Sequence, residues 1–205
     1  MIVQWCCRGV GDLTRGEVEA ILGNQVGLRC RYWPRDRPLP YDIALGRLTE
    51  RYLDLHVNDY DGIDSVTGKR VRDISPFISL SAGCVDRRTL LRTNVIHPAR
   101  RTALEFATDD GTRPGWLFTC WVLVGVNRAV GIEAVAEEIR ELNHARRYSA
   151  YFTEGEMTAK VNVPSRQILC AEYWIPTARA LVRRSVCMNN GFVNPAAVRN
   201  ERQML

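Results

Sequence analysis

The sequence predicts one α+β domain, and three observations predict it. Helix-period apolar stripes occupy the first half and the gaps between strand-like runs, a continuous apolar run spans residues 116–126, and strand-like segments follow one another closely after residue 158. At 205 residues the chain is long enough for one sizeable core, and nothing in its composition asks for a second. The predicted domain is therefore residues 1–205.

Thr14 followed three residues later by Glu17 has the form of a capping box, and Val18, Ile21 and Leu22 follow at helical spacing before Gly23. Residues 25–32 alternate Val26, Leu28, Cys30 and Tyr32 with Gly27, Arg29 and Arg31, so a strand is expected with both arginines on one face. Pro34, Pro38 and Pro40 make the next stretch a loop, and residues 41–55 suit a helix built on Ile43, Leu48, Tyr52 and Leu55. Residues 57–72 are polar with turn signals, and 77–81 form a short strand. Helices are expected at 86–92 and 98–107, the second with Pro98 in its first turn and Ala103, Phe106 and Ala107 facing inward. The run at 116–126 is rich in β-branched and aromatic residues and suits a covered central strand. Residues 132–145 carry Ile132, Val135, Ala136, Ile139 and Leu142 on one helical stripe. Strands are expected at 158–163 and 167–174, parted by Pro164 and Ser165, with a last strand at 180–188 and a loose tail beyond. No internal repeat or low-complexity segment is visible.

Hydrophobic residues at 46% and charged residues at 25% exclude disorder and describe an ordinary globular protein. The net charge of +5 favours an acidic or phosphate-bearing partner only if the excess gathers on one face. Seven cysteines without a CxxC pair read as reduced, buried thiols of a cytosolic compartment, and no metal site is expected. His56, His97 and His144 read as surface or partly packed residues. No signal peptide is visible, and the longest apolar run is short of the roughly 20 residues that span a bilayer. The expectation is a cytoplasmic protein, or one delivered into a target cell by a separate secretion system, with no membrane partner.

Two carboxylates one residue apart, Glu154 and Glu156, stand directly before the strand at 158–163. Ser79-Leu80-Ser81 closes the strand that begins at Phe77, and two arginine candidates precede it, in Leu28-Arg29-Cys30 and in Arg31-Tyr32-Trp33-Pro34-Arg35. Ala103-Leu104-Glu105-Phe106-Ala107 lies before Gly115-Trp116-Leu117. Each motif is weak alone. Arginine, then Ser-x-Ser, then Glu-x-Glu, in this order and with these flanks, resembles the arginine/serine/glutamate class of ADP-ribosyltransferases, the group of the cholera-like and pertussis-like toxins. The resemblance is strongest over residues 26–174.

It implies a split mixed/antiparallel sheet core with flanking helices and NAD as co-substrate. Glu156 matches the glutamate that stabilises the oxocarbenium-like ribose as nicotinamide leaves, a demand shared with glycoside hydrolysis. Glu154 matches the glutamate that orients or deprotonates the acceptor and goes with arginine as acceptor. Ser79 matches the serine that holds the catalytic glutamate, Ser81 completes the motif on the cofactor side, and Leu80 departs from the family's threonine. A guanidinium suits a pyrophosphate through planar, multidentate donation, and Arg29 or Arg31 is the cofactor-binding candidate, with Arg29 preferred. Residues 151–153 correspond to the acceptor-presenting loop. No G-x-G-x-x-G or P-loop is present, so dinucleotide binding of the Rossmann kind is not expected.

The expected function is transfer of ADP-ribose from NAD to an acceptor, most simply an arginine of a target protein. Such a protein acts as a toxin or effector, with an immunity or antitoxin protein as possible partner. Water as acceptor makes it an NAD glycohydrolase. A basic nucleic-acid-binding or nucleic-acid-modifying domain is the alternative from a different class, on the net charge and the arginines beside Tyr32 and Trp33.

Overall fold

The computed structural model describes residues 2–33, 44–82, 96–125, 130–139 and 155–197. The chain opens with a ten-residue strand, β1 (Ile2–Gly11), so the helix expected first is the second element. That helix, α1 (Arg15–Gly23), starts at its capping box: Thr14 Oγ1 accepts from the Glu17 N–H, and the Glu17 carboxylate accepts from the Thr14 N–H at 2.7 Å. Val18, Ile21 and Leu22 are its buried stripe.

The strand expected over 25–32 shrinks to β2 (Leu28–Arg29), which pairs with β7 (Asn162–Val163). Gly27 enters it at φ +72°, and a Cβ there would lie 2.0 Å from the Val163 carbonyl oxygen, so only glycine lets the two segments approach. Next come α2 (Glu50–Asn58), N-capped by Thr49, and the single turn α3 (Val71–Ile74). β3 (Phe77–Ser81) spans the residues expected.

α4 (Ile96–Thr108) covers the helix expected at 98–107. Ala103 and Ala107 are buried as expected, but Phe106 is 70% exposed. The small residues face β1, where a Cβ on Gly9 would fall 1.8 Å from the Ala103 carbonyl oxygen, and this close approach turns Phe106 outward. The helix expected at 86–92 lies outside the described residues. β4 (Gly115–Val124) is the covered central strand, buried at every position.

The helix expected at 132–145 is corrected over Val135–Glu138, which is a strand, β5, parallel to β4 and antiparallel to β6 (Glu156–Lys160), while residues 140–145 lie outside the described residues. Two strand neighbours outweigh the helical spacing of Val135 and Ala136. β8 (Ile168–Pro176) and β9 (Leu181–Met188) complete the sheet. The segment after β9 is anchored over 189–193 and not loose there. Asn189 Nδ2 donates to the Ser165 and Ile168 carbonyls, and Trp121 Nε1 donates to the Val193 carbonyl.

The strand order is β1-β3-β6-β5-β4-β8-β9, and β4 also pairs with β1 from Ile2↔Val124 to Gly11↔Gly115. Strands β1, β3, β6, β5 and β4 thus close a circuit, with β8 and β9 continuing outward from β4. Every pairing is antiparallel except β4–β5, so the sheet is mixed and the domain is α+β. One apolar cluster gathers Cys6, Ile78, Leu80, Phe118, Met157 and Ala159 from the circuit with Val18, Ile21 and Leu22 of α1. A second, with Leu53, Val57, Phe77 and Val161, packs α2 onto the other face of β3 and the residue that follows β6. Cys6, Cys7, Cys30, Cys120, Cys170 and Cys187 are free thiols, and all but Cys187 are buried. Among the described residues no helix is long and apolar enough to cross a membrane.

Candidate active site

The site grows from the ladder between β3 and β6. The register pairs Ser81 with Glu156 and Ser79 with Thr158, which puts all four side chains on one face. The bond from the Ala82 N–H to the Gly155 carbonyl at 2.9 Å sets the alternation: Leu80 and Ile78 exchange backbone bonds with β6, and Ser79 and Ser81 do not. Ser81 and Glu156 are then the kind of cross-strand pair whose side chains approach most closely. Gly155 enters β6 at φ +63°, a backbone suited to glycine, so the middle residue of Glu-x-Glu sets the angle at which the motif joins the strand.

The same alternation turns the Ser79 backbone toward β1, which meets β3 at only one pair, Cys7↔Ser81. There the Arg8 guanidinium takes the place of a strand, its Nη1 donating to the Ser79 carbonyl at 2.6 Å. The Ser79 hydroxyl is held from the other side by α2, with 3.0 Å between Oγ and His56 Nε2. His56 Nδ1 lies 2.7 Å from Ser75 Oγ, which also accepts from the Phe77 N–H. Tyr60 stands edge-on to the imidazole with centroids 5.2 Å apart, and Phe77 tilts against it at 5.7 Å.

Burial, reinforced by the positive charge of Arg8, pushes the His56 pKa down to about 3, so the ring is neutral at physiological pH. Burial also lowers the Arg8 pKa from its ordinary value. Tyr60 and Glu156 oppose that shift, and the like charge of Arg31 adds to it. Arg31, His56, Tyr60, Glu156 and Cys120 thus all lie within electrostatic reach of Arg8.

Farther along the same face, Lys160 Nζ donates to Glu137 Oε1 and to the Ile132 carbonyl, both at 2.9 Å. Glu137 on β5 is the cross-strand partner of Thr158, whose buried hydroxyl has no hydrogen-bond partner. Ser79, Thr158 and Glu137 thus form a polar row across three strands, with Lys160 at its end.

Ser79, Ser81 and Glu156 come together on adjacent strands, while Glu154 lies outside the described residues. Glu156 is 8% exposed and belongs to β6, so it is a buried strand residue and not the loop-edge carboxylate its motif suggests. Arg29 lies over the Trp33 ring at 4.8 Å from its centroid, and Arg31 is exposed with its charge acting on Arg8. Two residues escape the sequence reading. Arg8 sits on the true first strand, where no periodicity marks it. His56, expected as a surface or partly packed residue, is 4% exposed; its position on the inward stripe of α2 with Leu53 and Val57 is the signal that could have found it. Among the described residues no group of three or more His, Cys, Asp or Glu side chains could hold a metal ion.

No protein-family model and no curated protein matches the sequence. Among solved structures, the chain is similar to EcPltA, at 12% identity over 94% of this chain and 89% of that one, with a TM-score of 0.48. It is also similar to an E. coli heat-labile enterotoxin carrying a buried-residue mutation, at 15% identity over 87% and 75% of the two chains, with a TM-score of 0.40. A heat-labile enterotoxin double mutant matches at 14% identity over 91% of this chain and 62% of that one, with a TM-score of 0.41.

Proposed function

We propose that the chain is a mono-ADP-ribosyltransferase that moves ADP-ribose from NAD to an arginine of a target protein. The observation that carries this reading is the pairing of Glu156 with Ser81 on a ladder whose Ser79 is clamped by Arg8 and His56. Such a clamp makes sense where a carboxylate must be held still. As the nicotinamide–ribose bond breaks, its electron pair leaves with nicotinamide and positive charge spreads over C1 and the ring oxygen. A fixed carboxylate beside the ribose stabilises that charge, an effect worth on the order of 10²–10³ in rate where one such group is removed.

In this reading Glu156 faces the ribose, Ser79 and Ser81 hold the geometry, and the neutral His56 fixes the Ser79 hydroxyl without adding a second cation. Arg8 offsets the buried carboxylate. The pyrophosphate is met by Arg31, whose charge already acts within the site, and Arg29, supported on Trp33, is the second candidate. Glu154 orients the acceptor guanidinium, whose nitrogen bonds to C1 as it gives up a proton to solvent. Action on a protein of another cell would make the chain a toxin or effector, with an immunity protein as its counterpart.

Radiolabelled NAD incubated with the purified chain and a cell lysate tests the proposal. Label entering protein together with nicotinamide release is the expected result. Nicotinamide release without label on any macromolecule would instead assign water as acceptor. Label on RNA or DNA would move the acceptor to nucleic acid. No release at all would overturn the assignment.

A further inference from the structure

Among the described residues, closure of the β1-β3-β6-β5-β4 circuit gives every strand of the large sheet at least two neighbours except β9, which pairs with β8 alone. β9 is an eight-residue edge, and three of its apolar side chains are exposed: Val182 at 38%, Val186 at 41% and Met188 at 60%. The bond from the Asn189 N–H to the Leu169 carbonyl at 3.1 Å fixes the alternation with β8. Ser185 and Cys187 exchange backbone bonds with β8, so Val186 and Met188 turn their N–H and C=O groups toward the open edge. Beside that edge is a cavity of about 1080 Å³ whose walls include Arg15 and Gly23 of α1, Arg166, and the β9 end at Val186 and Met188. An open strand edge flanked by a helix-walled groove is the arrangement that accepts an extended segment as an added strand.

We propose that β9 and the groove beside α1 bind an extended acidic segment of a partner protein. The charge chooses the occupant. Arg183 and Arg184 belong to the edge strand and Arg179 to the turn before it, Arg183 standing 3.7 Å from Glu172, while the one acid among the groove's walls, Glu19, and Arg15 neutralise each other at 2.8 Å. A second copy of this chain pairing antiparallel through β9 would bring two Arg183-Arg184 pairs together, and like charges across strands destabilise. An acidic segment meets the same arginines with opposite charge, and its backbone pairs with the outward N–H and C=O groups of Val186 and Met188.

The probe is the capped octapeptide (Val-Glu)4, with (Val-Lys)4 as its charge-reversed control, titrated into the full chain and followed by amide hydrogen exchange. The acidic peptide should bind at least tenfold tighter than the basic one and slow exchange at Val186 and Met188. Val186→Pro removes an outward N–H and no bond to β8, so this variant should keep its melting temperature and lose the binding. Equal or absent binding of the two peptides, protection elsewhere, or undiminished binding by Val186→Pro would overturn the proposal. Concentration-dependent dimerisation abolished by Val186→Pro would overturn it too, by giving the edge to a second copy. None of these outcomes depends on NAD chemistry.

Discussion

Inward, β3 and β6 turn Ile78, Leu80, Met157 and Ala159 into the core at 0% to 4% exposure. Outward, the alternate residues Glu156, Thr158 and Lys160 are nearly as hidden, at 0% to 8%, and are polar. The inner face needs no explanation beyond the removal of apolar surface from water. The outer face does, because a buried polar group costs stability unless it is partnered, and a buried charge costs more. What the contrast teaches is that one face of these strands is purely apolar, whereas on the other polar side chains are buried beside the apolar Phe77 at a cost in stability. Along the outer face the burden is uneven: Lys160 and Glu137 satisfy each other, Ser79 is clamped twice, and the Thr158 hydroxyl has no hydrogen-bond partner.

The contrast breaks most sharply at the ion pair. Lys160→Met leaves the Glu137 carboxylate buried beside an apolar side chain and should cost about 3–5 kcal/mol in chemical denaturation. Adding Glu137→Leu should restore most of that loss, whereas a pair worth its full attraction would leave the double variant as unstable as the single one.

Next comes the imidazole. An unfolded histidine takes its proton near the ordinary 6.5, and folded His56 takes it only at about 3. Between those values the unfolded chain binds more protons, so stability is complete above 6.5 and falls as the pH drops toward 3, by up to about 1.4 kcal/mol per pH unit. Unfolding free energies measured from pH 7 to pH 4 should show this slope, and His56→Leu should flatten it by about one proton. An unchanged slope would mean that His56 is not held neutral.

Gly155→Ala tests the entrance to β6 and should cost about 1–2 kcal/mol, because φ is +63° there. Thr158→Val has the smallest expected effect, and in an unexpected direction. It removes a buried hydroxyl with no hydrogen-bond partner, so the melting temperature should stay level or rise. A drop above about 1 kcal/mol would show that the hydroxyl is partnered in solution.

How much of this was legible in the sequence follows from how local each cause is. The capping box at Thr14 and Glu17 acts over three residues, and it predicts α1 correctly. The apolar run of β4 and the short apolar strand of β3 are equally self-contained. β5 departs from its own pattern because Val135, Ala136 and Ile139 fit a helical stripe, whereas its conformation is decided by β4 and β6 from outside the segment. β1 went unread because its two sides meet different surroundings: Gly9 must admit α4, and Arg8 must reach Ser79, so no period of two survives. The Ser-x-Ser and Glu-x-Glu motifs gave two strands of the site in register. The arginine and the histidine beside them come from segments whose contacts span 71 and 23 residues, distances at which spacing alone is silent.

The central claim is that the Glu156 carboxylate, held opposite Ser81, supports cleavage of the nicotinamide–ribose bond. Nicotinamide release from NAD by the purified chain and by its Glu156→Gln variant, each checked for folding by its near-ultraviolet circular dichroism, tests this most directly. The account predicts release by the native chain and a loss on the order of 10²–10³ in the folded variant. Equal rates for the two proteins, or no release by the native chain, would contradict it.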